Sequence, residues 1–434
     1  MTIYKAAKEP DRFVVFISGD GGWNQGVVDM ARRLARMDAT VVGVDIRHYL
    51  GAAQATKAGT LYPAGDFSSL AQAVQKSLGF KRYHRPVVVG YSSGATLAYG
   101  TLVQSPSGIF QGGVGLGFCP DLKTDKPLAA GDGRLSYRTD PKLGFIYGPS
   151  KTLSSRFIAL QGRQDLTCLP AATHAFIAQT ANAGVIDLPK VGHGYSVAAN
   201  WAPQFAQAFS WLYPRAAAAP PAIPTASAAR LAGLPIIEVP AVGGGDTLAV
   251  LYSGDGGWAG IDRGLAEGLV QAHVPVVGYD SLRYFWTRRT PQAAAADLTA
   301  VLEHYMATWH KSKIVLAGYS FGADALPFIV ARLSPEMRAH IRLVALVAVD
   351  KDGELEFHPG DWLNHGSPSA YPIAPTLADL KGIPMVCIYG DQDTGDACPT
   401  FNPNLIHAVK LSGGHHFNGD YAAVGRAISA AAGL

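Results

Sequence analysis

Short apolar runs closed by glycine-rich turns recur along the chain and alternate with segments of helical spacing. Residues 13–17, Phe-Val-Val-Phe-Ile, form a continuous apolar run ending in Ser-Gly-Asp-Gly-Gly, the pattern of a strand buried on both faces of a parallel sheet. Residues 27–37 space their apolar positions as a helix does, and 40–44 read as a strand. Then come a helix over 67–78, a strand over 86–89, a helix over 93–103 and a late strand over 157–160. The second half predicts strands at 247–252, 274–278, 314–317, 343–349 and 385–389. Strands alternating with helices imply βαβ units and a doubly wound, mostly parallel sheet.

The pattern is written twice. Ser18-Gly19-Asp20-Gly21-Gly22-Trp23 recurs as Ser253-Gly254-Asp255-Gly256-Gly257-Trp258, and Val41-Val42-Gly43-Val44-Asp45 as Val276-Val277-Gly278-Tyr279-Asp280. Gly90-Tyr91-Ser92-Ser93-Gly94-Ala95 recurs as Gly318-Tyr319-Ser320-Phe321-Gly322-Ala323. Gly162-Arg163-Gln164-Asp165 matches Gly390-Asp391-Gln392-Asp393, and Gly192-His193 matches Gly414-His415. Landmarks repeated in one order mean a duplicated domain. Between the copies lies an Ala/Pro-rich stretch without aromatics, whose prolines interrupt a helix. The expected organisation is a domain over 1–214, a linker over 215–235 and a domain over 236–434.

Composition narrows the function. The 434 residues are 48% hydrophobic and 16% charged, which excludes a disordered polyampholyte. A net charge of +3 with scattered basic residues argues against a nucleic-acid groove. No stretch approaches the length of apolar sequence a membrane-spanning helix needs. His and carboxylates do not cluster at metal-ligand spacings, so neither metal nor cofactor is expected. The N-terminal stretch has no apolar run of signal-peptide type, so the chain is either cytoplasmic or begins after a removed signal. The four cysteines fall two to a half, and each pair either closes a bridge or stays reduced. The bridges expected are Cys119–Cys168 and Cys387–Cys398, each pinning the loop that carries Asp165 or Asp393.

In each half Gly-x-Ser-x-Gly follows an apolar strand and opens a helix, the arrangement of a nucleophile elbow. A serine nucleophile needs a base, and the base an orienting carboxylate. Both halves supply them in the order serine, acid, histidine: Ser92, Asp165 and His193, then Ser320, Asp393 and His415. His416 is the rival base in the second half. The backbone N–H of Phe321, with the loop at Asp255 and Gly256, would form the oxyanion hole. Asp20 and Asp255 equally fit Asx turns, and Trp23 and Trp258 fit packing better than substrate platforms.

The second half also carries Arg283-Tyr284-Phe285-Trp286, Arg289-Thr290-Pro291, Asp324 after the elbow, Cys387-Ile388-Tyr389-Gly390 and Gly413-Gly414-His415-His416-Phe417. On these motifs residues 246–434 resemble the VirJ/AcvB-like bacterial proteins, and the first half resembles a degenerate copy that lacks the Tyr-Phe-Trp run. The resemblance implies two tandem α/β-hydrolase-like domains, a periplasmic location and removal of aminoacyl groups from aminoacylated phosphatidylglycerol. It also implies a membrane-surface phospholipid substrate and secretion-system or other periplasmic protein partners. Asp324 would receive the substrate ammonium, or else make a structural hydrogen bond. Arg283, Tyr284 and Trp286 would wall the substrate site, with Phe285, Arg288 and Arg289 exposed at its mouth.

Three functions follow. The leading one is a serine esterase for aminoacyl-lipid headgroups. The alternatives are a carboxylesterase or thioesterase for small esters, and a non-catalytic scaffold on the same fold. Because the second half keeps more of the surrounding pattern, Ser320 is expected to carry the activity, with Ser92→Ala leaving most of it.

Overall fold

A computed structural model describes residues 1–6, 12–213, 231–359 and 370–434. The expected linker therefore lies outside the described residues up to position 230. The chain divides into two compact units, with the main division after Ala219. Each unit is built on one seven-stranded sheet.

In the first unit the strands are β1 (Thr2–Tyr4), β2 (Arg12–Ile17), β3 (Ala39–Val44), β4 (Val87–Tyr91), β5 (Gly112–Leu116), β6 (Phe157–Gly162) and β7 (Ala183–Leu188). Their order across the sheet is β1-β3-β2-β4-β5-β6-β7, with only β1 antiparallel to its neighbour. The second unit repeats it with β8 (Ile236–Val239), β9 (Thr247–Tyr252), β10 (Val276–Tyr279), β11 (Lys313–Tyr319), β12 (Ile341–Val347), β13 (Met385–Gly390) and β14 (His407–Leu411). The order is β8-β10-β9-β11-β12-β13-β14, again with only the first strand antiparallel. This is the α/β-hydrolase sheet, present twice in tandem.

The continuous apolar runs are buried on both faces because helices cover both sides of each sheet. The helix Gln25–Ala35 starts where Asn24 accepts the Gly26 N–H at 3.1 Å, and it buries Val27, Met30, Ala31 and Leu34, one stripe at helical spacing. In the second unit the helices Gly260–Gln271 and Tyr421–Ala431 approach closely through glycine. A Cβ at Gly268 would stand 2.7 Å from the Gly425 Cα. Each unit also makes a small antiparallel excursion after its fifth strand. In the first it is three-stranded (Asp121–Leu122, Tyr137–Asp140, Gly144–Tyr147), and in the second two-stranded (Asp352–Gly353, Tyr371–Pro372). None of the described helices is long and apolar enough to cross a membrane.

The strand β5 escaped the sequence reading because Gly-Gly-Val-Gly-Leu has little intrinsic strand preference. It is a strand because β4 and β6 pair with it from both sides. Its small residues have a packing role: the Phe157 ring fills the space beside Gly115.

Candidate active site

The serines sit where β4 and β11 turn into the helices Ser93–Gln104 and Phe321–Val330. Ser92 has φ 54° and Ser320 φ 50°, a left-handed conformation that costs a residue with a side chain about 1–3 kcal/mol. Neighbouring glycines make the turn possible. A Cβ at Gly318 would strike the Gly322 backbone, and one at Gly322 would strike the carbonyls of Tyr252 and Ser253. Gly90 and Gly94 stand in the same relation to each other and to Ile17 and Ser18. The next strand then holds each elbow, as Leu116 O accepts the Ser92 N–H at 2.9 Å and Val347 O the Ser320 N–H at 2.8 Å.

The expected acids and bases converge on these serines. Ser320 Oγ lies 3.0 Å from His415 Nε2, and His415 Nδ1 lies 2.8 Å from Asp393 Oδ2. In the first unit Ser92 Oγ lies 3.0 Å from His193 Nε2, and His193 Nδ1 lies 2.9 Å from Asp165 Oδ2. Asp165 is held further by the N–H groups of Thr167 (2.9 Å) and Cys168 (2.8 Å), and Asp393 by that of Gly395 (3.2 Å). The geometry separates His415 from His416, whose Nδ1 lies 3.1 Å from the Tyr319 hydroxyl instead. Tyr319 also donates to the His415 carbonyl at 3.2 Å, as Tyr91 does to that of His193 at 2.8 Å. Burial pushes the pKa of both tyrosines up, so each remains a donor that ties its histidine loop to the elbow.

Phe321 opens its helix, so its N–H has no intrahelical acceptor. The loop of Asp255 and Gly256 starts at Gly254, where a Cβ would come within 3.7 Å of the Ser320 Cβ. It is pinned by Ser253, whose Oγ accepts the Ser281 N–H at 2.9 Å. In the first unit Ser18 Oγ accepts from Ile46 N–H, and Asp45 accepts the Trp23 N–H at 3.1 Å. The Arg47 guanidinium holds the Asp45 carboxyl well below the usual carboxylate range. Trp258 fills the space over Gly278, and Trp23 that over Gly43, so both tryptophans are packing residues.

A cavity of about 430 Å³ opens at Ser320 and His415. Its lining is acidic: Asp255, Asp324, Asp350, Asp393 and Asp396, with Phe321, Phe357 and His358. Asp324 accepts the Asp350 N–H at 2.8 Å, and burial pushes its carboxyl well above the ordinary range. Asp396 is buried, its Oδ2 has no hydrogen-bond partner among the described residues, and desolvation pushes its carboxyl up to about 7. Desolvation also raises Asp255 and Asp350. Asp350, Asp396, Phe357 and His358 were not foreseen. Aligning the copies position by position would have marked Asp396, which falls at Cys168.

The aromatic run corrects an expectation. Tyr284, Phe285 and Trp286 are buried and wall no cavity at Ser320. Tyr284 donates to Asp297 at 2.8 Å, Phe285 packs edge-on against Phe321, and Trp286 stacks on Phe357 from behind. The segment turns inward because the apolar rings complete the core above Tyr252 and Tyr279. Arg283 is exposed and does not line this cavity. Arg288 and Arg289 line a neighbouring pocket of about 520 Å³ with Arg332, Phe328 and Tyr371.

Disulfides join Cys119 to Cys168 and Cys387 to Cys398, with Cα–Cα distances of 5.1 and 5.6 Å. Among the described residues two groups have metal-ligand proximity, Asp165-Cys168-His193 and Cys387-Asp396-Cys398, but in both the sulfurs are taken by these bridges.

Solved structures similar to the chain include three that each cover less than half of it. Est1E from Butyrivibrio proteoclasticus is 15% identical over 45% of this chain and 91% of its own, with a TM-score of 0.35. An α/β serine hydrolase homologue from Coxiella burnetii is 17% identical over 44% and 88%, with a TM-score of 0.32. XC6422 from Xanthomonas campestris, described as an α/β serine hydrolase without lid, is 15% identical over 45% and 86%, with a TM-score of 0.31. No curated protein sequence matches the chain. The family model of the bacterial virulence protein VirJ matches residues 11–107 and 246–432, touching both repeats, and the chain belongs to that family.

Proposed function

We propose that the protein is a serine esterase that removes the aminoacyl group from aminoacylated phosphatidylglycerol, with Ser320 as nucleophile, His415 as base and Asp393 as its orienting acid. The observation that carries this reading is the acidic wall around the Ser320 hydroxyl and its histidine. A carbonyl seated at Ser320 would place its α-ammonium among Asp324, Asp350 and Asp396. Carboxylates that desolvation keeps above their ordinary pKa are returned to the charged form by a bound cation.

The chemistry follows the hydrogen bonds. His415 Nε2 takes the Ser320 proton as Oγ attacks the ester carbonyl, and Asp393 stabilises the imidazolium through Nδ1. The Phe321 N–H and the Asp255–Gly256 loop meet the developing oxyanion. His415 then protonates the leaving glycerol oxygen. Phosphatidylglycerol leaves with that proton, and water, deprotonated by His415, then cleaves the acyl-serine to release the amino acid and restore Ser320.

Arg288, Arg289 and Arg332, which outnumber Glu354 and Glu356 in their pocket, suit the anionic remainder of such a substrate, since residues 354–356 line that pocket and the next two, Phe357 and His358, line the one at Ser320. A periplasmic location is supported by the two disulfides, which persist in oxidising compartments. Labelling with a fluorophosphonate tests the enzyme class. Modification of Ser320 is expected, and an unreactive Ser320 in folded protein would favour a scaffold instead.

A further inference from the structure

The first unit reproduces the Ser-His-Asp geometry and keeps Asp20 where the second has Asp255, but it loses the three other carboxylates around the triad. Four residues after the nucleophile, Asp324 of the second unit is replaced by Thr96. Three residues after the carbonyl that anchors each elbow, Asp350 is replaced by Cys119. Three after the triad acid, Asp396 is replaced by Cys168. The Cys119–Cys168 disulfide thus takes the place of the Asp350 and Asp396 carboxylates. The Cys168 sulfur stands within 4.8 Å of ligand atoms of both Asp165 and His193, so it belongs to the immediate surroundings of the triad. Thr96 turns its hydroxyl to the Cys119 carbonyl at 2.5 Å.

The loops that carry the triad residues change as well. Leu166 and Leu169, on the loop of Asp165, are 88% and 56% exposed, and Val197, on the loop of His193, is 56% exposed. The matching positions of the second unit hold Thr394, Ala397 and Gly419. Both loops that carry triad residues thus expose aliphatic side chains, as their counterparts in the second unit do not. The machinery itself is intact. Asp165 is fully buried under three hydrogen bonds, His193 keeps 22% of its side chain exposed, and the Ser92 elbow stores the same backbone strain as Ser320.

We infer that the N-terminal repeat is a second serine esterase, which hydrolyses uncharged aliphatic acyl esters. Ser92 Oγ attacks the carbonyl while His193 Nε2 takes its proton, and the alcohol leaves with that proton. Water, deprotonated by His193, then cleaves the acyl-serine to give a carboxylic acid and restore Ser92. The Ser93 N–H, first in its helix, stands in the position that Phe321 holds in the second unit. An ammonium is disfavoured, because two of the carboxylates that would meet it are sulfur and a third is a hydroxyl.

The test reads the first site alone in full-length Ser320→Ala protein. An alkyl fluorophosphonate should label Ser92, located by peptide mapping. Hydrolysis of p-nitrophenyl butyrate should fall roughly 10³-fold on adding Ser92→Ala. Should that double variant fail to fold, Asp165→Asn in the Ser320→Ala background should give a comparable loss by fixing the wrong imidazole tautomer. With the same Ser320→Ala protein, methyl propanoate should be preferred over alanine methyl ester at least about 10-fold. An unlabelled Ser92 in protein with wild-type thermal stability would overturn the proposal, as would a preference for the alanine ester. The proposed function of Ser320 is read separately, as aminoacyl ester cleavage by Ser92→Ala protein, so either assignment can fail without the other.

Discussion

Asp396→Asn separates what the acidic wall does for substrate from what it costs the fold. The Asp396 Oδ1 accepts the Cys398 N–H at 2.8 Å, a bond that asparagine can retain, while Oδ2 is buried without a partner among the described residues. Desolvation raises this carboxyl from 3.8 to about 7, so between those values the native state holds a proton that the unfolded chain has lost. Stability therefore falls as pH rises from about 4 to about 7, then levels off. A shift of this size corresponds to about 4 kcal/mol unscreened, and solvent around a partly shielded carboxyl leaves about 1–2 kcal/mol. A neutral amide at this position has no such loss, and the variant should gain that much on the wild type at pH 8 while matching it at pH 4 in denaturant titrations. Activity should move the other way. A charge-assisted contact to the substrate ammonium is worth about 1.5–3 kcal/mol. In a Ser92→Ala background, kcat/KM for alanine methyl ester should therefore drop roughly 10–100-fold, while methyl propanoate changes less than about 3-fold. Equal losses on the two esters would refute the ammonium assignment, and an unchanged pH profile of stability would refute the buried, protonated carboxyl.

Other perturbations probe the remaining parts. His415→Ala should cost roughly 10³-fold or more in ester turnover, whereas His416→Ala should stay within about 10-fold; the opposite ranking in steady-state kinetics would make His416 the base. Gly322→Ala forces a Cβ into the carbonyls of Tyr252 and Ser253, and should lower unfolding free energy by about 1–3 kcal/mol in denaturant titrations, with activity lost alongside. Thiol titration of the oxidised, denatured protein should find none of the four cysteines free, and four titratable thiols would contradict both bridges. Reducing them should destabilise by about 3 kcal/mol for the Cys387–Cys398 loop and about 4 for Cys119–Cys168, in line with sequence separations of 11 and 49.

Both triads were legible in the sequence because each residue has a local signature. Glycines flank the serine where an apolar strand meets a helix, the acid closes a Gly-x-x-Asp turn, and the histidine follows glycine. The shared order of the two copies then supplied the tertiary relation. The aromatic run misled for the opposite reason. Tyr284-Phe285-Trp286 has no periodicity that distinguishes an inward from an outward ring, and its burial depends on Tyr252, Tyr279 and Phe357 from distant strands and loops. Asp350 and Asp396 went unread because an isolated loop aspartate looks like a turn residue, although the mismatch of Asp396 with Cys168 between the copies marks that position. Only the sheet brings them to one cavity with Asp324. The glycine-rich strand β5 was hidden likewise, since its conformation comes from its neighbours rather than from its own residues.

The central claim is that Ser320 cleaves the aminoacyl ester of a lipid headgroup. The most direct measurement is amino acid release from phosphatidylglycerol vesicles containing lysyl- or alanyl-phosphatidylglycerol, comparing wild type with Ser320→Ala and identifying the lipid product. The account predicts free amino acid and phosphatidylglycerol from the wild type, with the rate reduced roughly 10³-fold or more in the variant. Equal release by Ser320→Ala, or no release from the vesicles by an enzyme that still cleaves alanine methyl ester, would contradict it.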